Sequence, residues 1–245
     1  MRLDKYLANM GVGSRKELKM VIRKGAVTIN GHVEKDPGKH VDPDQDLIQF
    51  RGETIGYQEY MYIMLHKPAG VISATTDNYH KTVIDLLPEE WLHFEPFPVG
   101  RLDIDTEGLL ILTNDGQLSH RLLSPKKHVD KTYFAIIDQE VVAADIEAFA
   151  KGLTLDDGYE TLPGYLEVLD QGEGRQVRIT IQEGKFHQVK RMFQAVGKEV
   201  TYLKRVSMGG LILDESLDKG QARELTTEEL DRVQVQVSPY RENQK

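Results

Sequence analysis

Leu3, Tyr6, Leu7 and Met10 recur at helical spacing, and Gly11 stands where such a helix would end. Ser14 followed by Glu17 makes a capping box, which predicts a second helix from Arg15. Its inward face is Leu18, Val21 and Ile22; its other face carries Arg15, Lys16, Lys19 and Arg23, and Gly25 ends it. "AVTINGHVEK" reads as a strand, an Asn30-Gly31 type I′ turn and a strand, and Leu47, Ile48 and Phe50 supply another. Residues 1–55 are therefore expected to form a small unit of two helices and a sheet. A linker is expected at 56–60, within the polar run "GETIGYQEY".

A second unit is expected over 61–235. Tyr60 to Leu65 alternates like a strand, which Lys67-Pro68-Ala69-Gly70 breaks, and "TVIDLLPEEW" reads as a short helix ending near Pro88. "LLILT" (109–113) is continuously apolar between Gly108 and an Asn114-Asp115-Gly116 turn, as in a strand buried on both faces. "KTYFAII" (131–137) alternates as a strand, and "EVVAADIEAFAKG" reads as a helix closed at Gly152. "RQVRITIQ" turns Val177, Ile179 and Ile181 inward and Arg178, Thr180 and Gln182 outward. A helix is expected from about Phe186 to Val196, two strands within "TYLKRVSMGGLIL", and a last helix behind the capping box of Thr226 and Glu229. Residues 236–245 read as a flexible tail. Strands outnumber helices without alternating regularly with them, so the fold class is α+β.

Composition narrows the function. The 245 residues, 40% of them hydrophobic, suffice to bury the core of one or two domains. The absence of cysteine excludes a disulfide framework and a Cys-based zinc site and suits a reducing cytoplasm. No apolar run reaches the roughly 18 residues of a membrane span, and "MRLDKYLANMGVG" is not a signal peptide, so a cytoplasmic chain is expected. No two histidines share metal-ligand spacing on one helix, and no metal site is expected.

The net charge of −8 alone argues against a nucleic-acid partner, but its distribution argues the other way. Arg2, Lys5, Arg15, Lys16, Lys19, Arg23 and Lys24 crowd the first 24 residues against Asp4 and Glu17. Lys185, Lys190, Arg191, Lys198, Lys204 and Arg205 crowd 185–205 against Glu199. Two basic islands on an acidic chain suit a localised anionic partner; the plain alternative is a pair of solvated helix faces.

"VGRLDIDTEGLLILTNDG" (99–116) sets Asp103, Asp105 and Glu107 at alternating positions before Gly108. A calcium loop is excluded: its twelfth position is Asn114 instead of a bidentate glutamate, and its seventh to eleventh are the apolar strand. An acidic turn and a catalytic carboxylate both remain. A catalytic carboxylate needs a nearby cation, and "EGKFHQVKRMF" offers one: Val189, Met192, Phe193 and Val196 form a core face, while His187, Lys190 and Gln194 fall on another.

These motifs together carry a resemblance. "GRLDIDTEGLLILTNDG", "HKPAGVIS", Lys131-Thr132-Tyr133 and "GKFHQVKRMF" resemble, in order, the motifs of the RsuA-type ribosomal RNA pseudouridine synthases, and the first unit is similar to the S-four type (α-L) RNA-binding domain. The resemblance implies a catalytic domain on a mixed, mainly antiparallel sheet with a central cleft. It implies cofactor-free isomerisation of a flipped uridine in 16S rRNA, with ribosomal RNA as partner. It makes Asp103 the essential carboxylate, Tyr133 the ring that stacks on the target base, and Lys190 the ion-pair partner of Asp103. Arg101, His187, Gln188 and Arg191, with the seven basic residues of the first unit, become candidate RNA contacts. Asp105 and Glu107 are left as loop-structure residues. A monomer is expected, because no long apolar helix stripe is left over. The alternatives are a large-subunit enzyme of the same family, a non-catalytic RNA-binding or assembly factor, and a carboxylate glycosidase.

Overall fold

The computed structural model describes residues 1–169 and 174–234, so the tail expected at 236–245 lies outside it. The chain forms two compact units, Met1–Met61 with Pro88–Pro96, and Tyr62–Leu87 with Phe97 onward. The segment Pro88–Pro96, read from sequence as part of the second unit, packs with the first. Gly11 lies so close to the His93 ring that an added Cβ would stand 2.8 Å from it. The short helix expected to end near Pro88 is a 3-10 turn at Ile84–Leu86, and a second 3-10 segment, Glu89–Phe94, follows the proline, which lacks an N–H.

In the first unit, α1 (Leu3–Asn9) and α2 (Arg15–Arg23) pack on a sheet of β1 (Val27–Ile29), β2 (His32–Glu34), β3 (Ile48–Phe50) and β4 (Glu53–Thr54), ordered β2-β1-β3-β4. The Ser14–Glu17 capping box forms, and Asn30 and Gly31 both take the positive φ of a type I′ turn. The core is Leu3, Tyr6, Leu7, Leu18, Ile22, Val27, Val41 and Ile48. Asp4 is wholly buried and accepts hydrogen bonds from Arg2 and Arg15. Burial pushes its carboxyl up, but the two guanidinium groups outweigh that and hold it below its ordinary range.

Among the described residues the second unit is built on a nine-stranded sheet. Its strands are β5 (Tyr62–Lys67), β6 (Phe97–Pro98), β7 (Glu107–Thr113), β8 (Lys131–Ile137), β9 (Tyr165–Val168), β10 (Gln176–Ile181), β11 (Val200–Met208), β12 (Leu211–Ile212) and β13 (Ala222–Glu224). The order is β13-β5-β7-β11-β8-β10-β9, with β6 on β7 and β12 on β11. All pairings are antiparallel except β7 with β11. Helices α3 (Gly116–Leu123), α4 (Ala143–Lys151), α5 (Gln188–Ala195) and α6 (Thr227–Gln234) flank it. Helix α3 is not foreseen by the sequence reading, which has only a turn at Asn114-Asp115-Gly116; Asp115 caps the helix, accepting from the N–H groups of Gln117 and Leu118. Thr180, expected outward, is buried and meets Thr132 across the strand pair at 2.9 Å. Among the described residues no helix is long and apolar enough to cross a membrane.

Every residue of β7 is buried, as a central strand requires. The parallel pairing with β11 brings Arg205 opposite Gly108, whose φ is +104°. A Cβ on Gly108 would stand 2.2 Å from the Arg205 carbonyl oxygen, so only glycine lets β11 close on the strand that carries the acidic loop. Gly108→Ala is expected to destabilise the protein by about 3 kcal/mol or more, measured by urea denaturation.

Candidate active site

Residues 99–106 form a loop that runs from β6 into β7, and it is wrapped around one ammonium group. Lys67, at the end of β5, is wholly buried. Its Nζ donates to the carbonyls of Thr106 at 2.9 Å, of Pro68 and Asp103 at 3.0 Å, and lies 3.4 Å from that of Ile104. Backbone bonds from Thr106 N–H to Asp103 O and from Gly70 N–H to Ile104 O tighten the turn. Ser73 Oγ accepts from Leu102 N–H and donates to Leu102 O. Burial lowers the Lys67 pKa to about 8, against the opposing pull of Asp103, Asp105 and Glu107. Sequence reasoning missed Lys67 and Ser73. The available signal was a lysine closing an apolar strand just before a proline.

Helix α5 supplies the opposite wall. Lys190 Nζ stands 3.3 Å from Asp103 Oδ2, and His187 Nε2 stands 3.6 Å from Asp103 Oδ1. The expected pair is not exclusive, because Lys190 also donates to Asp105 Oδ1 at 2.6 Å. Asp105 thus shares the lysine instead of serving only to shape the loop. Burial pushes its carboxyl up, but the bond from Lys190 holds it below its ordinary range. Glu107 turns to the other side, where it accepts from Tyr202 Oη and pairs with Lys219, both at 2.7 Å. The Asp103 carboxylate is not sealed from water: 27% of its side chain is exposed, and 20% of that of Lys190.

Asp103, Arg101 and His187 line a groove of about 670 Å³ together with Lys131, Tyr159 and Phe186. A smaller recess of about 60 Å³, also lined by Asp103, has Tyr133, Thr106 and Leu203 in its walls. Tyr133 points inward from β8 and is nearly buried. Asp103, Lys190 and Tyr133, far apart in sequence, are therefore brought to one place.

Two expected RNA contacts are turned to other work. Gln188 is buried; it donates to Glu183 and accepts from the Lys185 N–H. Arg191 is clamped by Asp156 and Asp157 and donates to the Phe186 carbonyl. Arg101 is exposed on the groove. In the first unit Lys5, Lys16, Lys19, Arg23 and Lys24 are exposed, while Arg2 and Arg15 share Asp4 and so present a partly neutralised charge. Among the described residues no cluster of His, Asp and Glu could hold a metal ion.

An aspartate fixed by backbone and lysine here stands beside a recess walled by a tyrosine. Residues 61–195 match the model of the RNA pseudouridylate synthases, which spans β5 to α5 and so contains Lys67, Asp103, Tyr133 and Lys190; residues 1–47 match the S4 domain. The chain belongs to the RNA pseudouridylate synthase family. It is 54% identical to the "Uncharacterized RNA pseudouridine synthase YtzG" of Bacillus subtilis, over 94% of this chain and 97% of the relative. It is 41% identical to the "Ribosomal small subunit pseudouridine synthase A" of Escherichia coli, over 95% and 100%. A crystal structure of a pseudouridylate synthase aligns over 95% of this chain and 99% of its own, at 38% identity and a TM-score of 0.67. As a pseudouridylate synthase, the chain is an isomerase, and RNA is its substrate class.

In this synthase two buried lysines carry a pH dependence. Burial lowers both Lys67 and Lys131 to about 8, and for Lys131 the Arg205 charge adds to the effect. Unfolded lysine titrates near ~10.4, so between those values the unfolded chain binds more protons and stability rises with pH. Lys67→Met is expected to reduce that rise and, by stranding loop carbonyls, to cost about 3 kcal/mol at pH 7. Urea denaturation between pH 7 and 10 checks both; a variant as stable as the parent would contradict the clamp.

Proposed function

We propose that the chain isomerises a uridine of small-subunit (16S) ribosomal RNA to pseudouridine, with Asp103 as the essential carboxylate. The observation that carries this reading is the Asp103–Lys190 contact at the mouth of a recess walled by Tyr133. The source of the subunit assignment is the printed name of relatives that are 40–42% identical over nearly their whole length.

The reaction breaks C1′–N1, turns the uracil and joins C5 to C1′; the C5 proton leaves and N1 gains one. Both bonds belong to one nucleotide, so the base must be held while it is detached. A uridine in a stack reaches Asp103 only by flipping, and the Tyr133 ring supplies the surface against which the freed base turns. Asp103 acts at the sugar or the base, by attack or by taking a sugar proton. Each role asks for the same thing, an ionised carboxylate fixed beside C1′. Lys190 favours that charge, and Lys67 removes the freedom of the backbone beneath it. The exposed basic face of α2 holds RNA by its phosphates, which fixes position and reads little sequence. The same reading takes the chain as a cytoplasmic monomer.

Asp103→Asn is expected to lower pseudouridine formation about a thousandfold or more while leaving RNA affinity within a few-fold. Chemical mapping of pseudouridine in 16S and 23S rRNA treated with parent and variant checks it. Modification confined to 23S rRNA would move the assignment to the large subunit, and none in either would remove the catalytic reading.

A further inference from the structure

Phe186 is 69% exposed, on the rim of the groove that leads to Asp103. A large aromatic left in water needs a reason, because its face is worth most when covered. The ring is not loose. It stacks on the His187 imidazole with centroids 3.7 Å apart and planes 19° from parallel. Its carbonyl receives the Arg191 guanidinium, itself clamped by Asp156 and Asp157. The Lys185 N–H beside it is tied to Gln188. His187 holds a left-handed backbone, φ +49°, which a residue with a Cβ adopts at a cost. The chain thus accepts strain and uses two expected RNA contacts, Gln188 and Arg191, to hold one aromatic face outward beside the reactive carboxylate.

Resting on the reading that a flipped uridine enters this groove, we infer that Phe186, backed by His187, is the stacking platform for the nucleobase next to the target uridine. Flipping removes one base from a stack and uncovers the faces of its neighbours. An aromatic ring on the rim covers one of those faces and stabilises the flipped state. Stacking of this kind tolerates any base, so Phe186 is a positioning residue that favours the flipped geometry at any sequence, while the recess at Asp103 selects the uridine.

The test uses the full chain and a 16S rRNA fragment centred on the uridine found by mapping, made intact and with an abasic site on its 5′ or 3′ side. Phe186→Leu keeps an apolar side chain of similar size without the π face, and its exposure leaves thermal stability unchanged. It is expected to lower kcat/KM on the intact fragment about tenfold. One of the two abasic fragments is expected to cost the parent enzyme the same factor and the variant nothing further. Phe186→Trp is expected to restore the rate on the intact fragment. A Leu variant as fast as the parent, or losses from variant and abasic site that multiply, would overturn the inference while Asp103→Asn still abolishes the reaction. A parent enzyme that modifies no uridine would overturn the functional reading and this inference with it.

Discussion

One buried ammonium organises the reactive end of the sheet. A loop that presents carboxylates satisfies only part of its own backbone, as in the Thr106 N–H to Asp103 bond, because its carbonyls turn inward as its side chains turn out. Lys67 meets those carbonyls from below. The arrangement costs desolvation of a charge, visible in the lowered lysine pKa, and the bonds to the loop carbonyls offset that cost. Gly108 completes the constraint by letting β11 close on the strand that follows the loop.

Three acids in five residues would repel one another without separate partners. The partners lie on different sides: Lys190 takes Asp103 and Asp105, while Lys219 and Tyr202 take Glu107. Asp105 gives Lys190 a second anchor, at the shorter distance, so two carboxylates hold the one ammonium. The pair is partly open to water, which weakens it as a source of stability.

The basic islands divide between cations paired with carboxylates and cations that stand exposed. Arg2 and Arg15 tie down a buried aspartate within the first unit, and Arg191 braces the groove rim within the second. Exposed cations stand on the outer face of α2 and at Arg101 on the groove. Counting lysines and arginines therefore overstates the binding face, since a cation paired inside the protein releases fewer counterions when RNA binds.

The sequence by itself determined what depends on near neighbours. The Ser14–Glu17 box, the Asn30-Gly31 turn, the fully apolar β7 and the alternation of β8 and β10 are all written in spacings of two to four residues, and the ordered motifs carried the family. Pattern failed where two local rules competed, as at Asp115, which suits a turn and an N-cap equally, and just past Pro88, where a proline suited to ending one helical segment begins another, Glu89–Phe94. Only the tertiary structure decided who meets whom. Lys190 reaches Asp105 across 85 residues, Tyr202 reaches Glu107 across 95, and Lys67 reaches Thr106 across 39. A charge carries no record of its partner along the chain: Gln188 and Arg191 read as contacts for RNA, while the fold buries the first and pairs the second with Asp156 and Asp157, because burial and pairing are set by strand order and helix placement, not by the residue alone.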